Sequence, residues 1–418
     1  MLSARRRDYL VPLSIAVLAI LVRVAAQFAL GFYREPDTWE EGTIALSLAS
    51  GHGYVYHDLG TTMQAFRAPA YAFLLAAAYI AFGSSVVVAG VLQALLGAVL
   101  VVTIYSIGQR VMSRSVGLLS AFLVATHPGL VVYAAKIHQL NLDVVLVAVA
   151  VLLGLAAHRR RRGDAALGTI GGLILLSRPT LLLVVFLSAL WRAAQERMRR
   201  RAIAGACVTV LLVTAFGGIW IGRNYAVIGE PTLTSTTGLT LWIGHNPAAT
   251  GGTLAKNGIP VLDAVPAMRN LVWGRNEVEQ DHIFTNAALA YVREDPLREA
   301  RAIASRFVLF WSFGSETGHL YPANWLAIYQ VYYWSFLGLA IVGTIVATRR
   351  GRAARTALIV LSMLSFAAAQ SLFYIDGRHR WAVEPLLLVL SAIGIFRALA
   401  PVAHALQGRQ GVRFESST

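Results

Sequence analysis

Apolar residues dominate long stretches of the chain, roughly at 10–30, 85–108, 115–132, 143–157, 202–222, 325–347, 356–373 and 385–400. About 20 such residues in a helix cross the ~30 Å hydrocarbon core of a bilayer. Two further stretches are ambiguous. "APAYAFLLAAAYIAFG" (68–83) is short for a span, and "ALGTIGGLILLSRPTLLLVVFLSALW" (166–191) is interrupted by Ser-Arg-Pro. The first run follows Arg5, Arg6 and Arg7 and is longer than the ~7–15 residues of a signal-peptide core. It is expected to be an uncleaved first helix with its N-terminus inside. Arg23 lies slightly past the middle of that run, at a cost of about 2.5–3.5 kcal/mol on insertion scales. It is expected to face protein or water; the alternative is snorkelling to the outer headgroups.

Composition supports the same class. Hydrophobic residues make up 57% of the 418 and charged ones 14%, against about 25% charged in soluble domains. The single cysteine, Cys207, excludes an intrachain disulfide framework. Positive charge then orients the spans. Clusters stand at Arg110/Arg114, at "HRRRRGD" (158–164), at "RAAQERMRRR" (192–201) and at "RRGRAAR" (349–355). Basic residues beside short loops mark the cytoplasmic side. All clusters fall inside if 68–83 stays on the outer side as a re-entrant or interfacial helix, and if 166–191 goes out and returns with Arg178 at its outer tip. The expected fold is an all-α polytopic membrane protein of about ten crossings, both termini inside. The inner segments then hold 21 arginines and four acids, and the remaining 15 basic and 17 acidic residues nearly cancel. The net charge of +15 therefore reads as orientation toward an anionic inner leaflet. No nucleic-acid-binding signature is present.

Three regions are expected: residues 1–222, a transmembrane module with an acidic first external loop at 32–84; residues 223–323, an external region; and residues 324–418, transmembrane helices with a basic cytoplasmic tail. In the external region, Leu297, Ala300, Ala304, Phe307, Val308 and Trp311 share one helical face. That spacing fits an amphipathic helix lying on the membrane, or an ordinary packed helix.

No GxxxxGK[ST], GxGxxG after a strand, HExxH or GxSxG is present. An enzyme working outside the membrane would need a donor that arrives already activated, and lipid-linked phosphates meet that need. "FYREPDTWEEGTIALSLASGHGY" (32–54) gathers Glu35, Asp37, Glu40 and Glu41 just beyond the first run. Carboxylates at Asp37, Glu40 and Glu41 could take a proton from an acceptor hydroxyl; the alternative is a solvated loop. Lys136, Arg178, Arg378 and Arg380 could hold a phosphate by charge-assisted hydrogen bonds; the alternative is headgroup anchoring. His138 is a candidate for positioning that phosphate or a plain interfacial histidine. Asn246 and Arg223 either close over the site or shape turns. Trp39, Trp242, Tyr321 and Trp325 either stack on sugars or form an interface belt.

The order "DTWEE…ALSLASGHGY…FRAPAY" (37–71) resembles the first external loop of GT-C glycosyltransferases, in particular bacterial protein O-mannosyltransferases and aminoarabinose transferases. The resemblance continues in "LLSRPTLLL" (175–183), "WIGRNYAVIGEPTLTSTTGLTLWIGHNPAATGG" (220–252), "ALAYVREDPLREA" (288–300) and "DGRHRWAVEPLLLVLSA" (376–392). It implies a GT-C-like bundle, a polyprenyl-phosphate sugar donor, an acceptor hydroxyl on protein, lipid or glycan, and transfer with inversion on the external or periplasmic face of the plasma membrane. It puts Asp37 in the place of the catalytic base, with Arg67 and Glu384 in motifs that line the donor or substrate site. A second acid usually begins a later span in this family; here Asp143 is displaced by a few residues. No metal ligands are assigned, no cofactor is expected, and a divalent ion is left open. The rival readings are a lipid-linked glycan polymerase or ligase, and a secondary transporter.

The span count has a direct check. Cysteines introduced at Gly163 and Gly351 should be shielded from an impermeant reagent, and those at Gly60 and Gly252 should be labelled. External labelling at position 163 would overturn the count.

Overall fold

A computed structural model describes residues 2–156, 161–314 and 323–414, without the side chains of 2–9, 161 and 401–414. Arg159, Arg160 and Tyr321, along with the side chains of the basic tail, lie outside the described residues. Most of the described chain is helical, with two short two-stranded ladders among the connecting segments. In chain order the first half runs α1 (Leu2–Ala29), β1 (Asp37–Thr38), α2 (Glu40–Ala49), β2 (Tyr56–Asp58), β3 (Thr61–Met63), α3 (Ala70–Phe82), α4 (Val86–Val111), α5 (Arg114–Ala125), α6 (Pro128–Tyr133), β4 (Lys136–Ile137), α7 (Leu140–Leu155), α8 (Arg161–Leu175) and α9 (Leu182–Ala194). The second runs α10 (Arg199–Ile228), α11 (Thr237–Gly244), α12 (Pro266–Val272), α13 (Glu277–Glu294), α14 (Pro296–Trp311), α15 (Ala323–Ala347), α16 (Ala353–Ser371), α17 (Gly377–Trp381) and α18 (Glu384–Phe414).

Among the described residues, four helical stretches are long and apolar enough to cross a membrane: Leu10–Ala29, Val86–Val111, Arg199–Ile228 and Ala323–Ser371. The last is broken at Gly351, whose φ of 74° separates α15 from α16. Shorter apolar helices (α3, α5, α7 and α9) pack between them. The Ser-Arg-Pro interruption becomes the tip of a hairpin: α8 ends at Leu175, a short 3-10 turn follows at Pro179–Leu181, and α9 returns. At its other end the hairpin is closed by a buried pair, Arg192 Nε to Asp164 at 2.7 Å.

Arg23 faces protein. It is fully buried and donates to the carbonyls of Ala19 and Ala125. It fits because Gly97 on α4 has no side chain: a Cβ there would lie 2.1 Å from the Arg23 Nε. Helices without a hydrophobic driving force between them associate by close packing of small residues, and α15 and α18 show it most clearly. A Cβ on Gly343 would lie 1.9 Å from the Leu390 carbonyl oxygen, and one on Gly394 would lie 2.1 Å from that of Leu339.

The segment between α1 and α3 and the region after α10 pack together at one end of this bundle. The β2–β3 hairpin turns at Leu59 and Gly60, both at positive φ. Its Leu59 and Met63, with Phe66, share a small core with Trp242, Val272 and Phe284 from the region after α10. In α14 the buried side carries Phe310 and a polar pair, Glu299 and Arg306 joined at 2.6 Å. Leu297, Ala300, Ala304 and Val308 are exposed. An apolar face turned outward beside apolar spans is what an interfacial helix presents.

Gly343→Leu or Gly394→Leu should force α15 and α18 apart. Overpacking typically costs about 1–3 kcal/mol, so the thermal midpoint in detergent should fall by several degrees, while Gly218→Leu, where a Cβ meets nothing within 4 Å, should leave it unchanged.

Candidate functional site

The site grows from a two-residue parallel ladder. Asp37 pairs with Lys136 and Thr38 with Ile137, which joins the segment between α1 and α2 to that between α6 and α7. The ladder sets the Asp37 carboxylate against the Lys136 ammonium in a salt bridge. Asp37 keeps 49% of its side chain exposed and Lys136 21%, so the pair is open to solvent.

Residues 134–138 are held from below by amides within the spans. Gln93 on α4 is fully buried and donates to the carbonyls of Lys136 (2.8 Å) and His138 (3.3 Å) and to the Tyr71 hydroxyl. Its own oxygen accepts from Asn141. Gln27 on α1 donates to the carbonyls of Gly90 and Ala134 and accepts from Tyr33. His138 is buried between the rings of Trp39 and Tyr133, and its Nδ1 accepts from the Leu140 amide. Burial, together with Arg378 and Arg178, holds its imidazole well below the usual pKa. It is neutral, with its proton on Nε2.

At the start of α2, Glu40 pairs with Arg67 at 2.8 Å. Burial raises the Glu40 pKa, but the charge and hydrogen bond of Arg67 outweigh it and leave the carboxyl below its usual value. Glu41 points inward, 2% exposed. Burial, reinforced by the Glu40 charge, pushes its pKa up to about 7. Arg67 is carried on a loop clamped by residues from the region after α10 and from α10 itself. The Gln64 and Ala65 amides donate to the Glu277 carboxylate, as does the Ser235 hydroxyl, and Arg223 donates to the Gln64 carbonyl.

The last segment of the site comes from the far end of the chain. Asp376 caps α17 and pairs with Arg378 at 3.2 Å. The Arg378 guanidinium lies 4.3 Å over the Trp39 ring. Despite burial, Asp376 and Tyr133 hold its pKa above the ordinary value. Arg378 also lines an open cleft walled by Val132, Tyr133, Trp325, Leu326 and Trp381.

Asp37, Glu40, Glu41, Arg67, Lys136, His138 and Arg378 therefore form one constellation. Asp143 and Arg178 lie beside it as a pair buried in the bundle, Nε to carboxylate at 2.8 Å, with Ser177 donating to the same acid. Four expected residues are placed elsewhere or differently. Arg380 does not line the cleft: it is 2% exposed, and its nitrogens donate to Glu384, Tyr329 and the carbonyls of Phe310 and Ser312. Glu384 is buried, accepting from Arg380, Tyr329 and His127. Asn246 closes the C-terminal end of α11 by donating to Trp242 and accepting from the Ala248 amide. Arg223 stacks on Trp220 and Tyr54 and braces the loop before Arg67. Among the described residues no three of His, Cys, Asp and Glu converge as metal ligands.

Sequence reasoning missed Gln27, Gln93 and Glu277. The two glutamines had a signal, since each is a lone amide inside an apolar run. Glu277 had none.

The chain shares its fold with membrane oligosaccharyltransferases of known structure. A family model described as dolichyl-phosphate-mannose-protein mannosyltransferase matches residues 66–220, a stretch that includes Arg67, Lys136, His138, Asp143 and Arg178 but not Asp37. The archaeal oligosaccharyltransferase AglB from Archaeoglobus fulgidus, in complex with an inhibitory peptide and a dolichol-phosphate, is 15% identical, over 96% of this chain and 52% of that one, with a TM-score of 0.53. Its apo form gives 14%, 95%, 52% and 0.53. ArnT from Cupriavidus metallidurans bound to undecaprenyl phosphate gives 13%, 93%, 79% and 0.39. The chain spans about half the length of the oligosaccharyltransferases it matches. None of the curated proteins compared matches it.

Glu41 supplies a pH test. Folded, it keeps its proton up to about pH 7; unfolded, it ionises near the ordinary 4.5. The folded state therefore binds the extra proton across that window, and this contribution to stability falls as pH rises through it. Thermal midpoints of wild type and Glu41→Gln, measured in detergent across the window, should diverge with rising pH in favour of the variant. Parallel curves would show that Glu41 ionises normally.

Proposed function

We propose that the chain is a membrane glycosyltransferase that moves a sugar from a polyprenyl-phosphate donor to an acceptor hydroxyl at the outer membrane surface. The observation that carries this is the gathering of unmet hydrogen-bonding capacity at one place. Trp39 Nε1, Glu40 Oε2, Glu41 Oε2 and Arg67 Nε are buried without partners, beside the open Asp37–Lys136 pair. Buried polar groups are almost always satisfied, so such a cluster fits a polar ligand. The family model and the fold support a lipid-phosphate donor. AglB was solved with dolichol-phosphate.

In this reading the apolar cleft takes the first isoprene units, and Arg378 at its edge takes the phosphate. Lys136 is drawn from Asp37 to the same phosphate, which frees the carboxylate. Asp37 then accepts the proton of the acceptor hydroxyl as that oxygen attacks the anomeric carbon. The bond to the phosphate oxygen breaks in line, with inversion, and polyprenyl phosphate leaves, its charge held by Arg378 and Lys136. Arg178 and Arg380 act as positioning residues, the first through Asp143 and the second through Glu384 and Tyr329. The active site faces the periplasm or exterior, and the three-region division at 222 and 323 belongs to the same proposal.

Purified enzyme given radiolabelled polyprenyl-phosphate sugars tests this. Asp37→Asn should lower turnover by about 10²–10⁴-fold, the usual contribution of a general base, with donor binding intact. Arg378→Ala should weaken donor binding about tenfold or more, with Arg378→Lys recovering little. Near-normal transfer by Asp37→Asn would remove it as the base. Collapse of transfer in Glu40→Gln to the same extent would point to an acidic cluster acting as a unit.

A further inference from the structure

A second cavity lies at the opposite end of the bundle. Its walls are the turn between α15 and α16, the first turn of α5 and the stretch of α18 at 393–400. Along α4 the rise from Gln93, beneath the Asp37 site, to Met112, at this cavity, is about 28 Å at 1.5 Å per residue. That is close to the thickness of the hydrocarbon core, so the two sites sit at opposite membrane surfaces.

Three arginines line the cavity: Arg350, Arg352 and Arg397. Among the described residues none of the three is paired with a carboxylate. This contrasts with Arg192 and Arg306, whose charges are met by Asp164 and Glu299. The first two flank Gly351, whose positive φ breaks the helix there and turns the chain so that both side chains reach one space. Ser113 and Ser115 bring the amide-rich N-terminal turn of α5 to the same wall, a further preference for negative charge. The remaining wall is apolar: Val116, Val346, Ile393 and Phe396. Three uncompensated guanidinium groups over an apolar floor match one chemistry, a phosphate attached to hydrocarbon.

We propose that this cavity binds the phosphate headgroup of an anionic membrane lipid from the inner leaflet, with the arginines on the phosphate oxygens and the acyl chains along Val346 and Phe396. Such a lipid would tie the α15–α16 turn to α5 and α18. This site is separate from the donor site and does not depend on the proposed reaction.

The test uses the full chain in nanodiscs of phosphatidylcholine with and without phosphatidylglycerol, with retained lipid counted by native mass spectrometry. Wild type should retain phosphatidylglycerol about tenfold or more over phosphatidylcholine, given the strength of hydrogen bonds to charged groups. The R350Q/R352Q/R397Q variant should lose that preference, while Arg349→Gln, in the same turn but outside the cavity, should keep it. If the triple variant fails size exclusion as a folded protein, the single variants serve, each with a severalfold weaker preference. Equal retention by the triple and wild type would overturn the proposal. So would equal loss in Arg349→Gln, which would mean a diffuse basic surface. Inorganic phosphate raising the thermal midpoint of wild type in phosphatidylcholine discs as far as phosphatidylglycerol does would make the ligand a free anion and overturn the lipid assignment.

Discussion

A carboxamide inside a membrane bundle must have its hydrogen bonds met by protein, because no water is there to meet them. Gln93 meets that requirement by binding the backbone of Lys136 and His138, and Gln27 by binding that of Ala134. The polypeptide at 134–138 is irregular and would otherwise expose its carbonyls at the edge of the bundle. The two amides satisfy those carbonyls and are satisfied in return, which fixes the segment against α1 and α4. Everything at the mouth of the bundle follows from this. The held segment offers an edge to Asp37 and Thr38, the resulting ladder orients the first turn of α2, and α2 sets Glu40 against Arg67.

The same physics sorts the arginines. A guanidinium can donate five hydrogen bonds, and how many are spent inside the protein separates architecture from chemistry. Arg380 spends its donors on Glu384, Tyr329 and two carbonyls while stacking 3.8 Å over Tyr333. Arg306 does likewise with Glu299, Ser371 and Gly244. These pairs hold α14 and α17 onto their neighbours, and removing one partner would strand a buried charge. Arg378 is different. It has one acid neighbour and an aromatic face, and it borders an open cleft. Two arginines that stand two apart in "GRHRW" thus have opposite surroundings, because the short helix α17 turns one side chain to the cleft and the other into the core.

That distinction marks how far the sequence could be read. The helical membrane class was legible from apolar run length, and so was the hairpin at Ser177–Pro179, since proline cannot continue a helix. Arg23 facing protein followed from the cost of its charge. The acidic first loop was legible as a candidate site because acids are scarce elsewhere. Arg378 and Arg380 could not be separated, because their fates depend on which side of a five-residue helix meets α15. Nor could Glu277, which acts on residues 64 and 65 from more than two hundred positions away. Charge-based reading also passes over amides in spans, so Gln27 and Gln93 carried no weight although each interrupts an apolar run.

The three acids at the start of α2 show why a cluster need not share one role. Glu40 is tied to Arg67, and its negative charge is part of what keeps Glu41 protonated in the interior. Glu41 in turn is too buried to meet a soluble acceptor. Only Asp37 stands before the helix, on a strand whose partner holds a movable lysine, and half of its side chain is open. Fixed backbone and mobile counter-charge are different requirements, and the ladder meets both. The main chain of Lys136 is immobilised by Gln93 and by the pairing with Asp37, while its four-carbon side chain can swing between the carboxylate and an incoming phosphate. A negatively charged donor would compete for that ammonium more strongly than a neutral acceptor could, so in the proposed reaction the base becomes available only when the group it must act on is already in place.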